Sequence, residues 1–215
     1  MKALITGTSG GIGKAIAELF LSKGHEVIGF DIAPASITHA HYSHYQLDIA
    51  KSDLPDIEGV EVLIDNAGTQ DEDRAIEVNL LGNIKIAERY GIQPSIKSVL
   101  FIASSSASTG AEFPLYSASK GGIVAYMKNL AQRIAKYGAT CNSLSPGGVD
   151  TALNKHILDD PKLHKAVLDE TLLGKWASPE EIAQWAYFLT CINKSMTAQD
   201  VLVDNGEAAK FNFIW

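Results

Sequence analysis

The chain has 215 residues, 46% of them hydrophobic and 20% charged, an ordinary globular composition at a length suited to one domain, residues 1–215, with a sizeable core. Its net charge of −7 and only three arginines, Arg74, Arg89 and Arg133, provide no basic stripe to neutralise phosphates, which excludes nucleic acid as the expected partner. No apolar run approaches the roughly 20 residues of a bilayer span, the opening MKALITG lacks a signal peptide's apolar core, and Cys141 and Cys191 are too far apart for a zinc cluster or disulfide framework. The expectation is a cytoplasmic protein handling small molecules, with no membrane association, and the acidic balance also disfavours an acidic carrier protein as partner.

In chain order, residues 2–6 form a short apolar run that ends at a glycine cluster. Ile12, Ile16, Leu19 and Phe20 then recur at helical spacing, with Gly24 as the stop. Residues 25–30 read as a second strand ending at Asp31, which completes a strand–turn–helix–strand unit. Further strands are predicted at 44–48, 61–65, 98–103, 139–144 and 201–204, and helical stretches at about 72–90 and 115–137. Little room is left for a full helix between the third and fourth strands. Ser178-Pro179-Glu180-Glu181 is a helix start, with an N-cap serine, a first-turn proline and a capping-box glutamate. Apolar strands alternating with helices predict an α/β fold of Rossmann type, a doubly wound parallel sheet with helices on both faces.

The first turn reads Thr6-Gly7-Thr8-Ser9-Gly10-Gly11-Ile12-Gly13. Glycines there let backbone approach a pyrophosphate, and the helix that follows presents free N–H groups to the anion. Asp31, eighteen residues after Gly13, stands where a carboxylate accepts from both adenosine ribose hydroxyls and repels a 2′-phosphate. No Lys or Arg follows it closely. The expected cofactor is therefore NAD(H) rather than NADP(H).

Tyr116-Ser117-Ala118-Ser119-Lys120 places a phenol and an ammonium on one face of a helix start. A free phenol titrates near 10. A positive charge at about 4 Å, worth up to ~4 kcal/mol at an effective dielectric near 20, would bring it near 7.

Taken together these motifs resemble the short-chain dehydrogenase/reductase family. Its glycine pattern is met at Thr6, Gly7, Gly11, Ile12 and Gly13, and its asparagine-alanine-glycine at Asn66-Ala67-Gly68, preceded by Asp65. Its helix asparagine is met at Asn79, its serine strand end at Ser104, its tyrosine-lysine pair at Tyr116 and Lys120, and its proline-glycine segment at Pro146 to Thr151. The ending VLVDNG is similar to the family's last strand. The resemblance implies Tyr116 as general acid/base and Lys120 as the group that lowers its pKa and binds the nicotinamide ribose. It implies that Ser104 holds the substrate oxygen and that Asn79 positions a proton-relaying water. Ser105 is the second candidate for the serine role, and Asn79 alternatively bonds a neighbouring backbone. Gly7, Ser9, Gly11, Ile12, Gly13 and Asp31 would hold the adenosine and pyrophosphate. Asp48 and Ile49 would flank the adenine, with a plain turn cap as the alternative role of Asp48. Asn66, Ala67 and Gly68 would line the trough, and Pro146, Gly147, Val149 and Thr151 would seat the carboxamide. A homodimer or homotetramer, built on the helices bearing Tyr116 and Asn79, is also implied.

The implied activity is interconversion of a secondary alcohol and a ketone by hydride transfer with NAD(H). The alternatives are a non-catalytic NAD(H)-binding regulator, which would not need an acid/base, and a sugar-nucleotide epimerase, whose relatives carry a larger C-terminal domain. Only twelve residues separate Asn66 from Asn79, fewer than is usual for the family, so one pocket wall is expected to be open. Residues 152–175, with leucines at helical spacing, are expected to form a substrate lid or simply to pack on the domain. His39, His41 and His44 lack neighbours at ligand spacing and read as solvated, so no metal is expected. Phe211 to Trp215 is apolar and is expected to be buried, on its own domain or on another subunit.

Overall fold

The computed structural model describes residues 1–111 and 113–211. Seven strands, β1 (Lys2–Thr6), β2 (Glu26–Asp31), β3 (Tyr42–Gln46), β4 (Val62–Asp65), β5 (Ser98–Ile102), β6 (Thr140–Pro146) and β7 (Asp200–Val203), form one sheet in the order β3-β2-β1-β4-β5-β6-β7. Every pairing is parallel. Each crossover returns the chain to the same end of the sheet, so the helices cover both faces and the central strands are largely apolar, with buried polar groups such as Thr6 and Asp65 at their carboxyl ends. β4 and β5 are buried along their whole length.

The helices are α1 (Gly11–Ser22), α2 (Glu72–Ala75), α3 (Asn83–Tyr90), α4 (Ser106–Thr109), α5 (Pro114–Ile134), α6 (Lys155–Leu158), α7 (Pro161–Asp169) and α8 (Pro179–Tyr187). One core layer packs Phe30, Tyr90, Phe101, Met127 and Leu130 beneath α3 and α5. The other packs Ile5, Ile16, Phe20, Leu100, Ile182 and Leu189 beneath α1 and α8. The chain leaves β1 for one side and β4 for the other, so a crevice opens at their carboxyl ends, where such sheets bind ligands.

Three local differences from the sequence reading have physical causes. β3 begins and ends two residues earlier than expected. It is an edge strand with mostly exposed side chains, so its register comes from β2, from Val27 opposite Tyr42 to Asp31 opposite Gln46. Leu47 and Asp48 have already left the strand and line the crevice. The helical stretch 72–90 is interrupted by a π-helical segment, Ile76–Gly82, a distortion often found at functional sites. There Asn83 Nδ2 donates to the carbonyls of Val78 (3.3 Å) and Asn79 (3.0 Å). His44 is not simply solvated: its ring bonds Tyr42 Oη at 2.9 Å and the Ala33 carbonyl at 3.0 Å.

Among the described residues no helix is long and apolar enough to cross a membrane. Phe211 is 76% exposed, so it does not pack on this chain. Residues 212–215 of that apolar end lie outside the described residues.

Candidate active site

The adenosine end is built on the first turn. Gly7 has φ +76°, and a Cβ there would lie 2.5 Å from Asn66 Nδ2. A Cβ at Gly13 would lie 2.1 Å from the Gly7 carbonyl oxygen. Neither position tolerates a side chain, because the ends of β1 and β4 are locked together. Thr6 Oγ1 accepts from the backbone N–H of Asn66 and of Ala67, both at 2.9 Å, while Asn66 Nδ2 donates to the Thr6 carbonyl at 3.0 Å. Gly7, Gly10, Gly11 and Ile12 line the crevice; Gly13 lies behind them and lets α1 approach the sheet. Among the described residues no side chain caps α1, so its first N–H groups stay available to an anion.

Asp31 closes this end. Its carboxylate accepts from the N–H of Ser9 and of Ala33, both at 2.8 Å, and so ties the glycine turn to the segment after β2. Ser9 Oγ turns away to the carbonyls of Pro34 (2.8 Å) and Ala33 (3.3 Å), and Ser9 is not part of the crevice wall. Asp31 and Ile32 are.

Asp48 follows β3, with Ile49 beside it on the wall. Its carboxylate accepts from Ala50 N–H at 2.9 Å and from the Arg74 guanidinium at 2.8 Å. Burial pushes the Asp48 carboxyl up, but these two partners outweigh it and hold the group below the usual carboxylate range. This Arg74 pairing is invisible in the sequence, where the two residues lie 26 positions apart; it forms because α2, on the connection between Asn66 and Asn79, lies beside the crevice.

At the other end, Ser104, Tyr116 and Lys120 share the wall. Lys120 Nζ lies 5.7 Å from the centroid of the Tyr116 ring and donates to the Ile102 carbonyl at 2.9 Å. Both residues are buried, at 9% exposure for Tyr116 and 5% for Lys120. A Cβ on Gly68 would stand 3.1 Å from Asn79 Oδ1 and 3.5 Å from Lys120 Nζ, so the absent side chain there leaves room for the ammonium. Asn79 is fully buried behind the wall. Its amide donates to the Thr69 carbonyl (2.9 Å) and Ser119 Oγ (3.2 Å), and its oxygen accepts from Thr69 N–H (2.7 Å). Of the three consecutive serines only Ser104 lines the crevice; the Ser105 N–H instead donates to the Pro146 carbonyl at 2.8 Å.

The crevice is continuous from Gly10 and Asp31 to Lys120 and has a volume of about 830 Å³, in the upper part of the roughly 300–1,000 Å³ typical of ligand pockets. Pro146, Gly147, Val149 and Thr151 close its far floor. Leu153, Ile157 and Val167, from residues 152–175, overhang it, Leu153 while still half exposed, whereas the exposed Leu163, Leu172 and Leu173 of the same stretch lie off the crevice. Glu170 and Glu207 make this end acidic. Burial, then repulsion from Asp204, raises the Glu207 carboxyl, against the Gly148 N–H that it accepts. Among the described residues no group of His, Cys, Asp and Glu is placed to hold a metal ion.

An extended anionic dinucleotide fits this shape: side-chain-free backbone and open N–H groups for the pyrophosphate, a carboxylate for ribose hydroxyls, and a buried ammonium at the opposite end.

Comparison with known proteins agrees. A family model described as Enoyl-(Acyl carrier protein) reductase matches residues 63–207, and one described as the NAD dependent epimerase/dehydratase family matches residues 3–120. The chain is 28% identical over 236 residues to a 3-oxoacyl-(acyl-carrier-protein) reductase of Rickettsia prowazekii, covering 95% of each protein. A short chain dehydrogenase family protein of Francisella tularensis superposes with a TM-score of 0.84 at 27% identity, over 97% of this chain and 99% of that one. A provisionally assigned 2-deoxy-D-gluconate 3-dehydrogenase of Agrobacterium tumefaciens, solved with bound NADP, superposes with a TM-score of 0.85 at 26% identity, over 97% and 96%. With its parallel sheet, its glycine turn and these matches across most of its length, the chain belongs to the short-chain dehydrogenase/reductase family of oxidoreductases.

Proposed function

We propose that the protein is an NAD(H)-dependent oxidoreductase that interconverts a secondary alcohol and a ketone, with Tyr116 as general acid/base. The observation that carries this reading is the convergence of Ser104, Tyr116 and Lys120 on the wall of the same crevice that begins at the glycine turn and Asp31.

When bound, the nicotinamide supplies or accepts the hydride. In reduction Tyr116 Oη donates its proton to the carbonyl oxygen; in oxidation it accepts the hydroxyl proton. Lys120, 5.7 Å from the ring centroid, favours the phenolate by its charge and reaches the nicotinamide ribose. Ser104 holds the reacting oxygen of the substrate. Asn79 serves a proton relay from behind the wall. The turn residues Gly7 to Gly13, with Ser9 fixing Asp31 through its N–H, seat the pyrophosphate. Asp48 and Ile49 flank the adenine, Asn66 to Gly68 form the trough, and Pro146, Gly147, Val149 and Thr151 orient the carboxamide. Asp31 accepts ribose hydroxyls and repels a 2′-phosphate, which favours NAD(H) although a relative binds NADP. Residues 152–175 act as the lid over an apolar substrate body. A homodimer or homotetramer belongs to the same reading, supported by exposed Leu81 beside Asn79 and exposed Leu115 beside Tyr116.

The test is NADH oxidation over a panel of ketones, with Tyr116→Phe as control. Turnover that Tyr116→Phe abolishes supports the reading. A wild-type protein that binds NADH yet turns over no member of the panel favours the regulator instead.

A further inference from the structure

We infer that Glu72 is a positioning residue for Tyr116, setting both the place and the proton affinity of the phenol from outside its helix; this rests on the reading of Tyr116 as the acid/base. The Glu72 carboxylate receives the first turn of the 21-residue helix α5. Its Oε1 accepts from the N–H of Leu115 (3.1 Å) and of Tyr116 (3.0 Å), and its Oε2 accepts from Leu115 (3.1 Å).

Phe113 stands at the N-cap, Pro114 opens the helix, and among the described residues no side chain next to it in sequence accepts its first N–H groups. An α-helix leaves these donors without intrahelical partners, and they are usually served by a Ser, Thr, Asp or Asn a few residues away. Here they are served by a residue 43 and 44 positions upstream. The bond to the Tyr116 N–H fixes the atom next to the carbon that carries the phenol.

Glu72 is itself held in place. It opens α2, whose N-cap Asp71 accepts from Asp73 N–H at 3.1 Å. On the same short helix Arg74 grips Asp48, and Thr69, just before it, is bonded on both its N–H and its carbonyl by Asn79. The brace lies on the connection from Asn66 to Asn79, where α2 packs against α5.

The carboxylate also acts by charge. It opposes the positive end of the α5 dipole, so it raises the phenol's proton affinity, while Lys120 lowers it. The crevice wall also carries Arg74 from α2, His156 from α6, Glu170 after α7 and Glu207 after β7, with Asp31 and Asp48 at its adenosine end; among the described residues Glu72 is the charged group that bonds the Tyr116 backbone.

The test compares Glu72→Ala and Glu72→Gln by turnover and by titration. Glu72→Ala should lower kcat roughly tenfold to a hundredfold, the scale of a misplaced catalytic group, with the NADH dissociation constant within about twofold of wild type. Glu72→Gln keeps an acceptor oxygen without the charge. It should recover most of kcat and move the acid limb of the oxidation profile down by on the order of half a pH unit. A readout that needs no turnover is the NMR titration of 13C-tyrosine-labelled protein, with the Tyr116 signal identified by its loss in Tyr116→Phe. It should show the same downward shift in Glu72→Gln. If no ketone turns over, the enzyme reading fails while the titration still decides the role of Glu72. An unshifted Tyr116 titration in Glu72→Gln overturns the inference. So does a Glu72→Ala protein in which kcat and NADH binding fall together with thermal stability, since that marks a purely structural brace.

Discussion

Lys120 holds its ammonium 5.7 Å from the centre of the Tyr116 ring while donating to the Ile102 carbonyl at 2.9 Å, so strand β5 anchors the cation that its helix neighbour uses. Replacing Lys120 by Met should remove the charge that favours phenolate. The acid limb of the oxidation profile should then move to higher pH, and activity at pH 7 should fall by about 10²-fold or more. Steady-state rates from pH 6 to 10 check this, and an unmoved profile would contradict the role given to Lys120.

Asp31 carries the cofactor preference. Asp31→Asn keeps an acceptor for Ser9 N–H or Ala33 N–H but loses the charge. The ratio of kcat/KM for NADH to that for NADPH should drop by about tenfold, mostly through gain with NADPH, since roughly 1.4 kcal/mol of repulsion is relieved. Paired assays with the two cofactors measure it. A ratio unchanged within twofold would place the discrimination elsewhere.

The Arg74–Asp48 pair borders the adenosine end and is partly exposed, with side-chain exposures of 34% and 19%. Solvent screening limits its worth, so Arg74→Met should weaken NADH binding only several-fold, about 0.5–1 kcal/mol. The deficit of the variant should shrink as salt is raised, because salt screens the pair in the wild type. Fluorescence titration of NADH at two ionic strengths reads both effects.

Asp65, at the end of β4, is 1% exposed, and neither carboxylate oxygen has a hydrogen-bond partner among the described residues. Burial raises this carboxyl well above its ordinary range. The folded protein therefore binds the proton more tightly than the unfolded chain. The stability this confers is fully present below the unfolded value, near 3.9, and is lost as pH rises toward the folded one. Asp48, Glu61 and Glu88 are shifted downward and contribute in the opposite sense, so the informative quantity is a difference between proteins. The Tm of Asp65→Asn minus that of wild type should grow between pH 5 and 8, by on the order of 5 °C. A constant difference would show that Asp65 is ionised and paired.

The parallel sheet was legible because doubly buried strands such as β4 and β5 are apolar over most of their length, and the glycine turn was legible because close backbone approach leaves few residue choices. β3 was misplaced by two residues because an edge strand carries little apolar pattern, and its pairing with β2 decides its limits. The sequence left Ser104 and Ser105 both open. The end of β5 puts Ser104 on the crevice wall and turns the Ser105 N–H to Pro146, a distinction of backbone direction that composition does not encode. Ser9 and Asn79 carried motif signals, yet their side chains brace neighbouring backbone instead of facing the crevice. Glu72 and Arg74 were silent, because each finds its partner only after distant segments meet.

A consequence follows from the brevity of the chain between Asn66 and Asn79. A longer loop would shape a wall and could vary freely; this one is a strut under double load, fastened to the nucleotide end by one residue and to the reacting end by another two positions away. Insertions here should be poorly tolerated, and changes of substrate preference should arise instead through the apolar side chains of Leu153, Ile157 and Val167 that overhang the crevice.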